Sequence, residues 1–151
     1  MNVEVFSKFS IPKLIASGFP ENTAVISFYS PVNGSEKNKF NYEGVCQDVF
    51  YVGVYDITSI ESFAEYGYTN ETFLAEADEL AQFIYDVKQR GMNIICQCEF
   101  GSSRSAACAA AILEHFDKRG SVILSNDRYH PNQIIYKKIL LALEKVEEQI
   151  S

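Results

Sequence analysis

The chain has 151 residues, with 13 Lys and Arg against 20 Asp and Glu, so its formal net charge is −7. That length bounds it to one domain, and 47% hydrophobic with 13% aromatic residues supplies the core that a disordered acidic segment lacks. An acidic chain with no basic run is a poor partner for DNA, RNA or an anionic membrane, because counterion release needs a Lys/Arg surface.

No charged segment followed by a short apolar stretch opens the chain, and no run of about 18 apolar residues occurs, so neither a secretory signal nor a membrane span is expected. A cytoplasmic, reducing setting follows as the expectation, with the four cysteines Cys46, Cys96, Cys98 and Cys108 outside any disulfide framework. Cys96 and Cys98 lack the paired spacing of a structural zinc site, and His115 and His130 do not complete one. No metal and no cofactor is expected.

In chain order, the apolar run Ala24 to Tyr29, bounded by Pro20 and Pro31, predicts a strand. Pro31 to Gly44 has turn formers and charge but no periodicity, so it reads as a long loop. Val45 to Tyr55 predicts a second strand that delivers Asp56 to a strand end. From Asn70 as N-cap, Phe73, Leu74, Ala77, Leu80, Ala81, Ile84 and Val87 recur at helical spacing, and Gly91 stops the helix. Met92 to Cys96 reads as a buried strand, parallel to the one before because a helix separates them. After a turn at Cys98 to Ser103, Arg104 to Phe116 is apolar nearly all round and predicts a central helix. A last helix begins with Pro131 in its first turn and buries Ile135, Ile139, Ala142 and Val146. The fold class is α/β, a single domain over residues 1–151 with a mostly parallel sheet of about four or five strands flanked by helices.

The informative segment joins a strand, a five-residue loop and a helix: Cys98-Glu99-Phe100-Gly101-Ser102-Ser103-Arg104-Ser105. Backbone N–H groups of a loop curled at a helix N-terminus bind tetrahedral anions, and the helix dipole adds positive potential. Arg104 can clamp two oxygens of such an anion. The same field favours the thiolate of Cys98, so that anion binder and nucleophile form one device.

Cys98, five residues, Arg104 and Ser105, with Gly101 third after the cysteine, resemble the signature loop of the cysteine-dependent protein tyrosine phosphatase superfamily, and the context is most similar to the compact dual-specificity phosphatases. That resemblance implies a metal-independent phosphoester hydrolase in which Cys98 attacks phosphorus to form a cysteinyl-phosphate. Glu99, Phe100, Gly101, Ser102, Ser103 and Arg104 would bind the phosphate, and Ser105 would stabilise the thiolate as it leaves. The family also needs an aspartic acid as general acid and base. Asp56 is the best match, ahead of Asp48, Glu61, Glu76 and Asp78.

Two positions depart from the pattern. Gln97 stands where the family usually has His, and Ser103 replaces a second loop glycine, which requires a negative φ there. Gln97 keeps open a catalytically weak or inactive pseudophosphatase that binds phosphorylated ligands, and a rhodanese-like or arsenate-handling cysteine enzyme is a further alternative. The loop has no Lys and no second Arg, and Glu99 repels polyanions. A phosphorylated protein, on tyrosine or on serine/threonine, or a small phosphoester is therefore the expected partner, rather than a phosphoinositide or an RNA 5′-phosphate. Cys46, Cys96 and Cys108 are expected to pack as small hydrophobes, with a protective disulfide to oxidised Cys98 as the other option.

Overall fold

The computed structural model describes residues 1–151. Four parallel strands, β1 (Val3–Ser7), β2 (Thr23–Tyr29), β3 (Val49–Gly53) and β4 (Asn93–Cys98), form one sheet in the order β1-β4-β2-β3. The helices are α1 (Ile11–Gly18), α2 (Ala77–Gln89), α3 (Arg104–Asp117), the single turn α4 (Ser121–Leu124) and α5 (Gln133–Ile150). The α/β class and the parallel sheet expected from the sequence are both observed, with four strands.

Strand alternation divides the core in two. Ala24, Ile26 and Phe28 of β2 and Ile94, Cys96 and Cys98 of β4 face the large cluster built with α2, α3 and α5. Val25 and Ile95 face a smaller one with Ile11, Leu14 and Ile15 of α1 and Tyr42 from the long loop. Every residue of α3 from Arg104 to Leu113 is buried, and the small side chains Ala106, Ala107, Ala109, Ala110 and Ala111 let this helix lie close against its neighbours. The helix leaving β1 covers one face and the helix leaving β4 covers the other. Adjacent strands whose connections diverge in this way open a crevice at their carboxyl ends, where α/β folds place their ligands.

Several boundaries differ from the sequence expectation. The helix expected from Asn70 starts at Ala77, because Leu74 adopts φ +57 and cannot continue a right-handed helix. Upstream, Thr69 and Thr72 close a separate turn in which each backbone N–H donates to the other's hydroxyl, at 2.7 and 3.2 Å. Phe73 and Leu74 are buried nonetheless, by the turn rather than the helix. The strand expected from Val45 begins at Val49, after a turn in which Cys46 Sγ lies 3.2 Å from the Thr23 carbonyl, so Cys46 belongs to no strand. Asp48 likewise lies outside the strand and pairs with Arg90 at 2.9 Å. Pro131 precedes α5, which is capped by Asn132. The sequence reading also passed over β1 and α1, although Val3 and Val5 alternate with Glu4 and Pro12 marks the first turn of α1.

Candidate active site

β4 ends at Cys98, which is 2% exposed, and α3 starts at Arg104, so five residues close the gap between the strand and the helix N-terminus. The turn is tight. Gly101 takes φ +69, and a Cβ at this position would lie 2.8 Å from the Ser7 nitrogen and 2.9 Å from the Phe6 carbonyl carbon, both backbone atoms of β1. Ser103 has φ −119 and needs no glycine. The loss of the second loop glycine is therefore conformationally neutral.

The loop's carbonyls turn outward. The Cys98 carbonyl accepts from Lys8 N at 2.8 Å and from Gln97 Nε2 at 3.2 Å, and Glu99 O accepts from Lys8 N at 3.2 Å. Ser102 O accepts from His130 N at 2.8 Å, and Ser103 O accepts from Ala107 N and Asn132 N at 2.9 and 3.2 Å. The N–H groups of Glu99, Phe100, Gly101, Ser102 and Ser103 donate to no protein acceptor. Backbone arranged in this sense is a nest of donors, and α3 contributes its dipole with no acidic residue in its first turn. Ser103 occupies the N-cap position, where serine ordinarily accepts from the first amides of the helix. Its hydroxyl instead donates to Asp56 Oδ1 at 2.8 Å, leaving those amides unspent.

Arg104 is 5% exposed. Its Nη1 donates to Ser30 Oγ at 3.0 Å and to the Val54 carbonyl at 2.7 Å, which ties the guanidinium to the ends of β2 and β3. Nε and Nη2 have no protein partner, yet no buried side-chain nitrogen is left unsatisfied, so both remain open at the surface. Ser105 Oγ lies 3.0 Å from Cys98 Sγ. Asp56, three residues beyond β3, reaches the same place from another part of the chain. Asn132 Nδ2 donates to its Oδ1 at 2.8 Å and to the Ile57 carbonyl at 2.9 Å, while Asn132 Oδ1 caps α5 by accepting from Ile135 N at 3.0 Å. One buried amide thus fixes the aspartate and starts the last helix.

All the residues singled out from the sequence, Cys98, the loop from Glu99 to Ser103, Arg104, Ser105 and Asp56, meet in one region. The sequence reading missed Ser30, Lys8 and Asn132. Of these only Asn132 had a signal, as a capping residue directly before an apolar-periodic run. His130 holds the loop through its backbone N–H. His115 has a side chain only 4% exposed, with Nε2 2.6 Å from Tyr85 OH. Burial pushes its pKa below the ordinary value of 6.5. Cys96 is fully buried, and the neighbouring Cys108 thiol together with burial pushes its thiol pKa well up. No group of three or more His, Cys, Asp or Glu side chains is arranged to hold a metal ion. No helix is long and apolar enough to cross a membrane.

Neither a family sequence model nor a curated protein sequence matches the chain. Solved structures do. The fold is similar to human DUSP28, with TM-score 0.59 and 14% identity over 97% of this chain and 94% of that one. It is similar to PTPMT1 in complex with PI(5)P, with TM-score 0.59 and 12% identity over 99% and 95% of the two chains. It also resembles the human tyrosine phosphatase-like serine/threonine/tyrosine-interacting protein, with TM-score 0.51 and 18% identity over 95% and 86%. The chain has the fold of the compact dual-specificity phosphatases.

Proposed function

We propose that this chain is a metal-independent phosphoester hydrolase of the protein tyrosine or dual-specificity phosphatase type. One observation carries the reading. The amides of the loop around Cys98 are unspent, and the Asp56 carboxylate is bonded to that same loop through Ser103.

In the first step the Cys98 thiolate attacks phosphorus and the P–O bond to the leaving group breaks. Asp56, protonated, gives its proton to the departing oxygen. The charge on the equatorial oxygens is met by the loop amides, the α3 dipole and the open Nε and Nη2 of Arg104. In the second step Asp56, now a carboxylate, takes a proton from water as that water attacks the phosphocysteine. The P–S bond breaks and phosphate leaves. The returning thiolate is stabilised by the Ser105 hydroxyl. All of these groups are supplied by the chain, with no cofactor.

The substrate class is a phosphorylated tyrosine, serine or threonine of a protein, or a small phosphoester. The loop offers a single compact anion site, flanked by the exposed Glu99 and by Phe100, which is 82% exposed. A reducing, cytoplasmic setting suits the free thiols. The test is hydrolysis of para-nitrophenyl phosphate with a chelator present, abolished by Cys98→Ser. Vanadate binding by the wild type without turnover at any pH from 5 to 8 would replace the hydrolase with a phosphate-binding pseudophosphatase.

A further inference from the structure

Cys98 and Gln97 are neighbours on β4, so their side chains leave opposite faces of the sheet. Cys98 points toward α3 and Gln97 into the smaller cluster behind the loop. There the amide is held at both ends. Ser27 Oγ and Tyr42 OH each donate to its Oε1 at 2.6 Å, and its Nε2 donates to the Cys98 carbonyl at 3.2 Å. All three side chains are buried, with Gln97 2%, Ser27 0% and Tyr42 1% exposed. The carbonyl at one end accepts only, so the amide cannot flip without setting oxygen against oxygen.

We propose that Tyr42 and Ser27 are positioning residues of the oxyanion loop, acting through Gln97 to keep the Cys98 carbonyl turned away from the anion. The inference rests on reading the loop as an oxyanion site. A peptide plane is rigid, so fixing the Cys98 carbonyl outward also fixes the Glu99 N–H, which belongs to the same plane, toward the loop interior. An amide lets this chain dispense with the usual histidine, because the arrangement needs one acceptor facing two hydroxyls and one donor facing a carbonyl, both supplied without charge. Tyr42 is a permanent donor, since burial pushes its hydroxyl pKa far above the ordinary value of 10.0.

Tyr42 also connects a distant segment to the loop. It lies in the irregular stretch between β2 and β3, where its backbone N–H donates to Tyr51 OH at 3.3 Å and its ring centroid stands 4.6 Å from that of Phe40. The neighbouring Asn38 carbonyl accepts from Lys8 Nζ at 2.9 Å, and the Lys8 backbone N–H holds the same Cys98 carbonyl. The stretch thus packs behind the catalytic loop and supports it from the face opposite α3.

The test measures orthovanadate affinity by calorimetry, well below the melting temperature, for the wild type, Tyr42→Phe, Ser27→Ala/Tyr42→Phe, Gln97→Met and Tyr42→Phe/Gln97→Met. Tyr42→Phe is expected to weaken vanadate about threefold, and Ser27→Ala/Tyr42→Phe about tenfold, as the amide loses one and then both of its fixing donors. In the Gln97→Met background Tyr42→Phe is expected to have no further effect, because the group through which it acts is gone. An equal, additive loss in both backgrounds overturns the proposal, as does an unchanged affinity in Tyr42→Phe. The single substitution keeps the test decisive should the Ser27→Ala/Tyr42→Phe variant fail to fold. Turnover is not the readout, so wild-type vanadate binding without hydrolysis sinks the hydrolase reading and leaves this one standing.

Discussion

Replacing Gly101 by alanine should damage the loop in two separable ways. The backbone there is left-handed, at φ +69, which costs an L-residue about 1–2 kcal/mol. The added methyl would also stand 2.8 Å from Ser7 N and 2.9 Å from Phe6 C, both in the backbone of β1, so relief requires β1 and the loop to separate. Overpacking of this kind costs about 1–3 kcal/mol. The sum, roughly 2–5 kcal/mol, corresponds at its centre to a fall in melting temperature of about 7–14 °C for a chain of this size. Separating the loop from β1 also disturbs the Lys8 N–H bonds to Cys98 O and Glu99 O, so vanadate affinity should fall with stability. Gly67 is the control: its φ is +81 but nothing lies within 4 Å of a Cβ, so Gly67→Ala pays only the backbone term. Thermal unfolding and vanadate titration of both variants check this. Equal melting temperatures for Gly101→Ala and Gly67→Ala, with vanadate affinity intact in both, would refute the packing argument.

Asp56→Asn should lower kcat on phenyl phosphate about 100-fold or more but have less effect on para-nitrophenyl phosphate, whose better leaving group needs less protonation; steady-state kinetics on the pair tests this. Arg104→Lys should reduce kcat/KM at least tenfold with little change in fold by circular dichroism, because an ammonium cannot hold Ser30 and Val54 and still clamp two phosphate oxygens. Asn132→Ala removes the α5 cap and orphans the Ile57 carbonyl, so denaturant unfolding should show a loss of about 2–3 kcal/mol, together with slower turnover as Asp56 loses a donor. His115 titrates below its ordinary 6.5 in the folded chain, so the unfolded state binds the proton more readily. Its contribution to stability is present above pH 6.5 and is lost as pH falls through the folded pKa. The melting temperature should drop on that side, and His115→Gln should flatten the slope.

The strand, loop and helix around Cys98 were legible because the constraints there are local. An apolar run, a five-residue gap and an arginine opening an apolar helix are all sequence-adjacent. The place of Asp56 beside the loop could be expected only through the family pattern, since nothing local in the sequence distinguishes such an aspartate from a turn former. The supporting residues were not legible, and the reason is geometric. Ser30, Asn132, Tyr42 and Ser27 reach the loop from other elements, and their pairing depends on strand order, which sequence periodicity does not encode. The helix expected from Asn70 failed for a related reason. Phe73 and Leu74 keep the helical spacing of buried residues, but a threonine-closed turn and a left-handed Leu74 bury them without a helix. Burial pattern reports which side chains face the core, whereas hydrogen bonding decides the element that carries them there.

A net charge of −7 and the proposed oxyanion site are compatible because the site's positive potential is local and largely uncharged in the formal sense. One guanidinium, five unspent N–H groups and a helix N-terminus without a carboxylate in its first turn supply it. Backbone dipoles act over a few ångströms, and the surface carboxylates are screened over roughly 8–10 Å at physiological ionic strength. The opposing exposed charge nearest Cys98 in sequence is Glu99. Neutralising it by Glu99→Gln should therefore improve KM for a dianionic aryl phosphate at low salt by a few-fold, with kcat unchanged and the difference shrinking as salt is raised. Kinetics in 20 and 500 mM salt measure this. An effect on kcat, or one independent of salt, would mean that Glu99 acts on the loop's geometry and not through its field.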